Sequence, residues 1–285
     1  MKIFIAVDME GATGVVHHDQ LMPEGRGYAV AQGYLTGDVN AVIAGILDAD
    51  HEAEIIVGEG HAIMRNILLD ELHPQAQVVV GPARPSNKPL CQMEGIDGSV
   101  DLCMCVGFHS KAGTPGGLLA HTFVGSVVCN WMMNDKIVGE VEVDAAIAGA
   151  FGVPLGLVVG NHELEQEVRA WHPDVEFVST KQTLGPSAAL CRPPSWTRVA
   201  LRHAARTTVE RARDGAFKPY RLGPTVTMTI ETYRREMTDK AVSEPGAVRI
   251  DDRRFQCAGA TAADAFRTTW RAIARALDEP ASFLQ

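Results

Sequence analysis

Residues 2–14 read KIFIAVDMEGATG. Ile3, Ile5 and Val7 alternate with Phe4, Ala6 and Asp8, the pattern of a buried strand. Asp8 and Glu10 follow two residues apart, and Gly11 and Gly14 come directly after. On an extended chain, residues i and i+2 point to the same side. Both carboxylates therefore aim at one spot, where they repel each other unless something positive stands between them. A strand that leaves the core this way is one that delivers a site.

Outward from this strand, the first half alternates helices and strands. Residues 27–49 end in a helical pattern with Val39, Val42, Ile43, Ile46 and Leu47 on one face. EIIVGEGH (54–61) reads as a short strand, MRNILLDELHP (64–74) as a helix stopped by Pro74, and QVVVG as another strand. ARPSNKP is a loop, DLCMCVGFH (101–109) a buried strand, and KAGTPGG a flexible loop by composition. TFVGSVVCNWMMNDKIVGE reads as a hairpin turning at Asn134-Asp135, EVDAAIAGAFG as a helix closing at Gly152, and PLGLVVGNHE as a further strand. This alternation predicts an α/β fold, a mostly parallel sheet with helices on both faces.

The texture changes near Arg192. A basic amphipathic helix with a solvated face (195–214), an alternating strand TVTMTIETY, a strand region with a turn at Asp251-Asp252 and a terminal helix (261–279) suggest a smaller α+β domain. The expected division is a catalytic α/β domain over 1–190 and the smaller domain over 191–285.

With 285 residues, 46% of them hydrophobic, the chain can build a sizeable core. A net charge of −9 argues against nucleic acid as the main partner. No run is long enough for a membrane span and no signal-peptide pattern opens the chain, so the expected location is the cytoplasm. The six cysteines form no C-x-x-C pair and read as reduced thiols.

Three strands share one ending: VGEGH to His61, VGFH to His109 and VVGNH to His162. In a parallel sheet the carboxyl ends of the strands lie along one edge, where ligands bind. Asp8 and Glu10 belong to that edge. Imidazoles and carboxylates converging in a crevice read as a metal site; imidazole suits zinc rather than magnesium, and two close carboxylates with several histidines suit two ions. The other reading of any single one of these histidines is a strand end entering a polar loop. His121 follows the Gly-rich loop and could act as acid, base or oxyanion donor, or be an ordinary hairpin histidine. Glu140 opens a helix, where an acid is favoured by the helix dipole, or is one more ligand. His17 and His18 are better read as a surface loop.

VDMEG, the VGEGH strand end, VGFHSKAGTPGGLLAHTF, NDKIVGEVEVDAAIAG and STKQT (179–183) together resemble the zinc D-aminopeptidase family, in order and spacing, from Met1 to about Ser187. The resemblance implies a dinuclear zinc peptidase that removes an N-terminal D-amino acid from short peptides. It implies metal ligands at Asp8, Glu10, His61, His109 and Glu140, a catalytic histidine at His121, two zinc ions per chain, and a ring-shaped homo-oligomer. The chain departs from the family at Gly58-Glu59-Gly60-His61, where the pattern is N-D-S-H, and at His162, where the family has an acidic residue and to which no role is carried. The loop between His109 and His121 is also longer by one residue. Two other classes remain. One is a haloacid-dehalogenase-like magnesium phosphatase, which IAVDMEGATG resembles but which leaves His61 and His109 idle. The other is a non-catalytic peptide-binding protein, which has no use for a metal cluster.

Overall fold

The computed structural model describes residues 1–185 and 187–277. The opening strand, β1 (Lys2–Val7), is followed by a long helix α1 (Tyr28–Ala49), β2 (Glu54–Glu59), β3 (Ala76–Val79) and β4 (Leu102–Phe108). The hairpin β5 (Val128–Met133) and β6 (Lys136–Ile137) leads to α2 (Glu140–Ala150), β7 (Leu155–Asn161), α3 (His162–Arg169), β8 (Glu176–Gly185) and β9 (Ala188–Cys191). The rest is α4 (Pro194–Arg213), β10 (Val226–Thr232), α5 (Arg235–Ala241), β11 (Ala247–Arg249), β12 (Arg254–Gly259) and α6 (Ala262–Ala276). The terminal helix is found as expected up to Ala276; its last expected residues, 278 and 279, lie outside the described residues.

The seven-stranded sheet has the order β3-β2-β1-β4-β7-β8-β9, parallel except for β9. From β1 the chain steps outward to β2 and β3, then returns to place β4 on the other side of β1. The strand order therefore reverses between β1 and β4, where an open α/β sheet forms its ligand crevice. Ile3, Ile5 and Val7 pack toward α1 and α4, while Phe4 and Ala6 join the opposite core with Cys103, Cys105 and α2. All of these β1 side chains are fully buried, and each large one contributes about 1.5–3 kcal/mol to the folded state.

The second sheet is antiparallel, in the order β11-β12-β10-β5-β6. The hairpin turns at Asn134 and Asp135, both at positive φ (46° and 66°), as a two-residue turn between twisted strands requires. The expected division at 190/191 does not follow the sheets. β5 and β6, from the first half, belong to the second sheet, while α4, from the second half, lays Leu201, Ala205 and Val209 against α1 and the first sheet. Gly45 makes this close approach possible: a Cβ there would lie 2.1 Å from the Arg202 carbonyl oxygen. The expected helix over 64–74 is also absent. Only Leu69–Glu71 forms a 3-10 turn, because Ala62 and Met64 take positive φ (44° and 53°) and the backbone N–H groups of Asn66 and Ile67 donate to the buried Glu59 carboxylate instead of to a helix.

Candidate metal centre

β1 and β4 meet so closely at their carboxyl ends that side chains are excluded. A Cβ on Gly11 would fall 1.7 Å from the Phe108 carbonyl oxygen, and one on Gly107 (φ 85°) 2.0 Å from that of Asp8. The Gly11 N–H donates to the Gly107 carbonyl and the Asp8 N–H to that of Val106. These contacts carry the chain out of β1 with Asp8 and Glu10 against the end of β4, where His109 follows. β2 brings His61 from the other side. Its two glycines are also demanded by packing: a Cβ on Gly60 would lie 2.7 Å from both the Val7 carbonyl oxygen and Gln92 Cβ, and one on Gly58 2.2 Å from the Gln92 carbonyl oxygen. Glu140, the first residue of α2, enters from the opposite face.

All six residues singled out in the sequence come together. His61 Nδ1 lies 2.9 Å from Glu10 Oε2 and 3.4 Å from Asp8 Oδ1. His109 Nε2 lies 3.4 Å from Asp8 Oδ2 and 3.4 Å from Glu140 Oε1. His121 stacks on His109, with ring centroids 4.3 Å apart, and its Nε2 is 4.0 Å from Glu10 Oε1 and 3.9 Å from Glu140 Oε1. Two triads, Asp8–Glu10–His61 and Asp8–His109–Glu140, have the spacing of metal ligands and share Asp8; Glu10–His109–His121 forms a third such group.

The imidazoles are oriented alike. His61 Nε2 donates to the Leu21 carbonyl (2.8 Å), His109 Nδ1 to that of Ser110 (2.9 Å) and His121 Nδ1 to that of Leu119 (3.0 Å). Each ring spends one nitrogen on the backbone and turns the other toward the carboxylates, the arrangement that fixes a histidine's tautomer for metal binding. Asp8 Oδ2, Glu10 Oε2 and His109 Nε2 are buried without a hydrogen-bond partner. Buried polar atoms are rarely left so unless a ligand or ion completes them.

The charges of the cluster depend strongly on one another. Burial and the neighbouring Glu10 push the Asp8 carboxyl up to about 7. Burial disfavours the imidazolium of His109, but Glu140, with Asp8 and Glu10 behind it, outweighs that and raises its pKa to about 10. His61 is likewise raised: burial opposes it, and Glu10 and Asp8 overcome the opposition. His121, held down by burial and by His109, titrates below the ordinary histidine range.

His162 does not join the cluster. It opens α3, nearly half exposed, with its nearest carboxylate Glu165 at 3.8 Å, so the recurrent strand-end histidine marks the site at two strands and not at the third. His17 and His18 are exposed, as expected of a surface loop. Sequence reasoning missed the groups beneath the cluster. Lys181, fully buried, donates from Nζ to the carbonyls of Glu10 and Ala12, and Thr180 donates to that of Gly11, so β8 grips the carboxylate turn from below. STKQT was the visible signal for this pair. Gln92 bridges Asp144 (3.1 Å) and Glu140 (3.5 Å); Asp144 follows Glu140 by four residues, one helical turn.

Comparison with known proteins follows the same lines. The family model described as D-aminopeptidase matches residues 1–270. The D-aminopeptidase of Bacillus subtilis (strain 168) is 30% identical over 195 residues, which is 68% of this chain and 69% of that protein. The solved structure of the Zn-dependent D-aminopeptidase DppA from Bacillus subtilis, described as a self-compartmentalizing protease, superposes with a TM-score of 0.90 at 25% identity, over 98% of this chain and 99% of that one.

Proposed function

The chain belongs to the D-aminopeptidase family, and from that premise we propose that it removes the N-terminal residue, a D-amino acid, from short peptides or amides at a centre of two zinc ions. The observation that carries this reading is the common orientation of the three imidazoles, each anchored to a backbone carbonyl on one nitrogen and facing Asp8, Glu10 and Glu140 with the other. The donor set fits zinc, since it mixes imidazole nitrogen with carboxylate oxygen, and its unpartnered buried atoms are the ones an ion would complete.

Glu10 and His61 would hold one ion, His109 and Glu140 the other, and Asp8 both, as the member common to the two triads. Bound zinc supplies a Lewis acid for the scissile carbonyl and lowers the pKa of water toward neutrality. His121 does the proton work. Its Nδ1–H is committed to the Leu119 carbonyl, and its depressed pKa keeps Nε2 unprotonated at neutral pH. Nε2 can accept a proton from the attacking water and return it to the amine of the leaving group. The stack on His109 holds the ring beside the carboxylates.

The phosphatase and the non-catalytic binding protein are not favoured, since the family match is to a peptidase and the histidines that those readings leave idle form the centre of the cluster. DppA is a self-compartmentalizing protease; for this chain we infer a homo-oligomer, ring-shaped, that encloses its sites. We also infer a cytoplasmic location, where reducing conditions suit six cysteines with no C-x-x-C pair.

Variants test the assignment of roles. His61→Ala and His109→Ala should lose zinc together with turnover of D-aminoacyl amides. His121→Ala should keep its zinc and lose about 10²–10⁴ in kcat, the scale of a missing acid–base group. The Glu10–His109–His121 grouping supports a second reading, in which His121 is a ligand; loss of zinc from His121→Ala would establish it and remove His121 as the acid–base group.

A further inference from the structure

Glu59 is a fully buried carboxylate two residues before His61 in the VGEGH segment, and it belongs to no metal-capable group among the described residues. Its Oε1 accepts the backbone N–H groups of Asn66 and Ile67, and its Oε2 accepts Asn66 Nδ2. Asn66, also fully buried, donates from Nδ2 to the backbone carbonyl of His61 (2.7 Å). Its own carbonyl oxygens are engaged in turn: Tyr28 Oη donates to Oδ1 and Gln32 Nε2 to the backbone oxygen. Lys88, buried as well, donates to the Glu59 backbone carbonyl.

The segment tied down by these bonds is strained. Ala62 and Met64 both sit at positive φ, a conformation that costs energy in residues with a Cβ and persists only where the surroundings over-determine it. His61 lies at the start of that segment. Its ring is aimed by the bond to Leu21, and its backbone is fixed by Asn66.

We propose that Glu59 and Asn66 are positioning residues for His61: the carboxylate holds Asn66, Asn66 holds the His61 carbonyl, and the pair sets where Nδ1 meets Asp8 and Glu10. This rests on the reading of His61 as a zinc ligand. The family pattern N-D-S-H also has an acid at this position, and here the acid serves the loop and not the ion.

The test is zinc titration of the metal-stripped full-length chain, read by calorimetry, together with the visible absorption spectrum of the cobalt-substituted protein, which reports ligand geometry. Asn66→Ala changes no charge, and Glu59→Gln keeps the shape. Both should bind zinc about 10–100-fold more weakly than the wild type, the usual effect of losing a group that orients a ligand, and should shift the cobalt bands. Tyr28→Phe removes a single hydroxyl from Asn66 and should weaken binding by a smaller factor; it carries the test where Asn66→Ala does not fold. Leu201→Ala, which destabilises the remote contact of α4 with α1, should leave zinc affinity and the cobalt spectrum unchanged. Wild-type affinity and an unshifted spectrum in folded Asn66→Ala or Glu59→Gln, or equal weakening by Leu201→Ala, would overturn the proposal while leaving the zinc site standing. A wild-type chain that takes up no zinc would overturn the site and this proposal together.

Discussion

At the scale of single residues, the cluster is a set of groups whose charges depend on one another. Without metal, Asp8 holds a proton up to about pH 7 because burial and Glu10 disfavour its charge, and His109 stays an imidazolium to about pH 10 because the carboxylates around it outweigh its burial. Zinc requires these same groups deprotonated. Zinc uptake near pH 7 should therefore release protons, and apparent affinity should rise with pH, first as Asp8 loses its proton and then on toward the range of His109. Each displaced proton adds about tenfold in affinity per pH unit. Calorimetric titration in buffers of different ionisation enthalpy measures the number directly. No proton release at pH 7 would mean that the zinc is held elsewhere.

At the scale of elements, the centre depends on how β1 and β4 end. Gly11 and Gly107 let the two strands touch where Asp8 and His109 leave them. Gly11→Ala would place a methyl inside the Phe108 carbonyl, so the strand ends must part. The expected outcome is a loss of about 1–3 kcal/mol or more of stability, the cost of overpacking, together with weakened zinc binding; thermal unfolding and metal analysis of the variant check both. The strands were legible because a buried parallel strand is a continuous apolar run, and the clustering of the candidate residues was legible because those runs end in His61, His109 and the Asp8–Glu10 pair. Other features were invisible because they are settled by side-chain contacts that hydrophobic periodicity does not carry. Residues 64–74 carry helical periodicity, but the buried Glu59 takes the N–H groups of Asn66 and Ile67 and holds the chain open. The basic helix over 195–214 shows its solvated face in its sequence; that its other face covers α1 is fixed by Gly45 and Ala205, about 160 residues apart. Likewise, the grip of Lys181 on the Glu10 turn joins residues 171 apart.

At the scale of the whole molecule, two sheets share one chain that crosses between them three times, and the seven-stranded sheet carries five of the six cluster residues on its strand ends and loops, with Glu140 supplied by α2. Its relative DppA compartmentalizes itself, and the corresponding expectation here is a homo-oligomer well above a dimer; light scattering at micromolar concentration should report several chains per particle, and a monomer would contradict it. The most direct measurement is of metal against turnover. Purified protein is stripped with a strong chelator, then zinc is returned in steps while bound zinc per chain and hydrolysis of a D-aminoacyl amide are followed together. The expected result is no hydrolysis in the stripped protein and full activity as occupancy reaches two zinc ions per chain. Undiminished hydrolysis in zinc-free protein would contradict the assignment of Asp8, Glu10, His61, His109 and Glu140 as a hydrolytic metal centre.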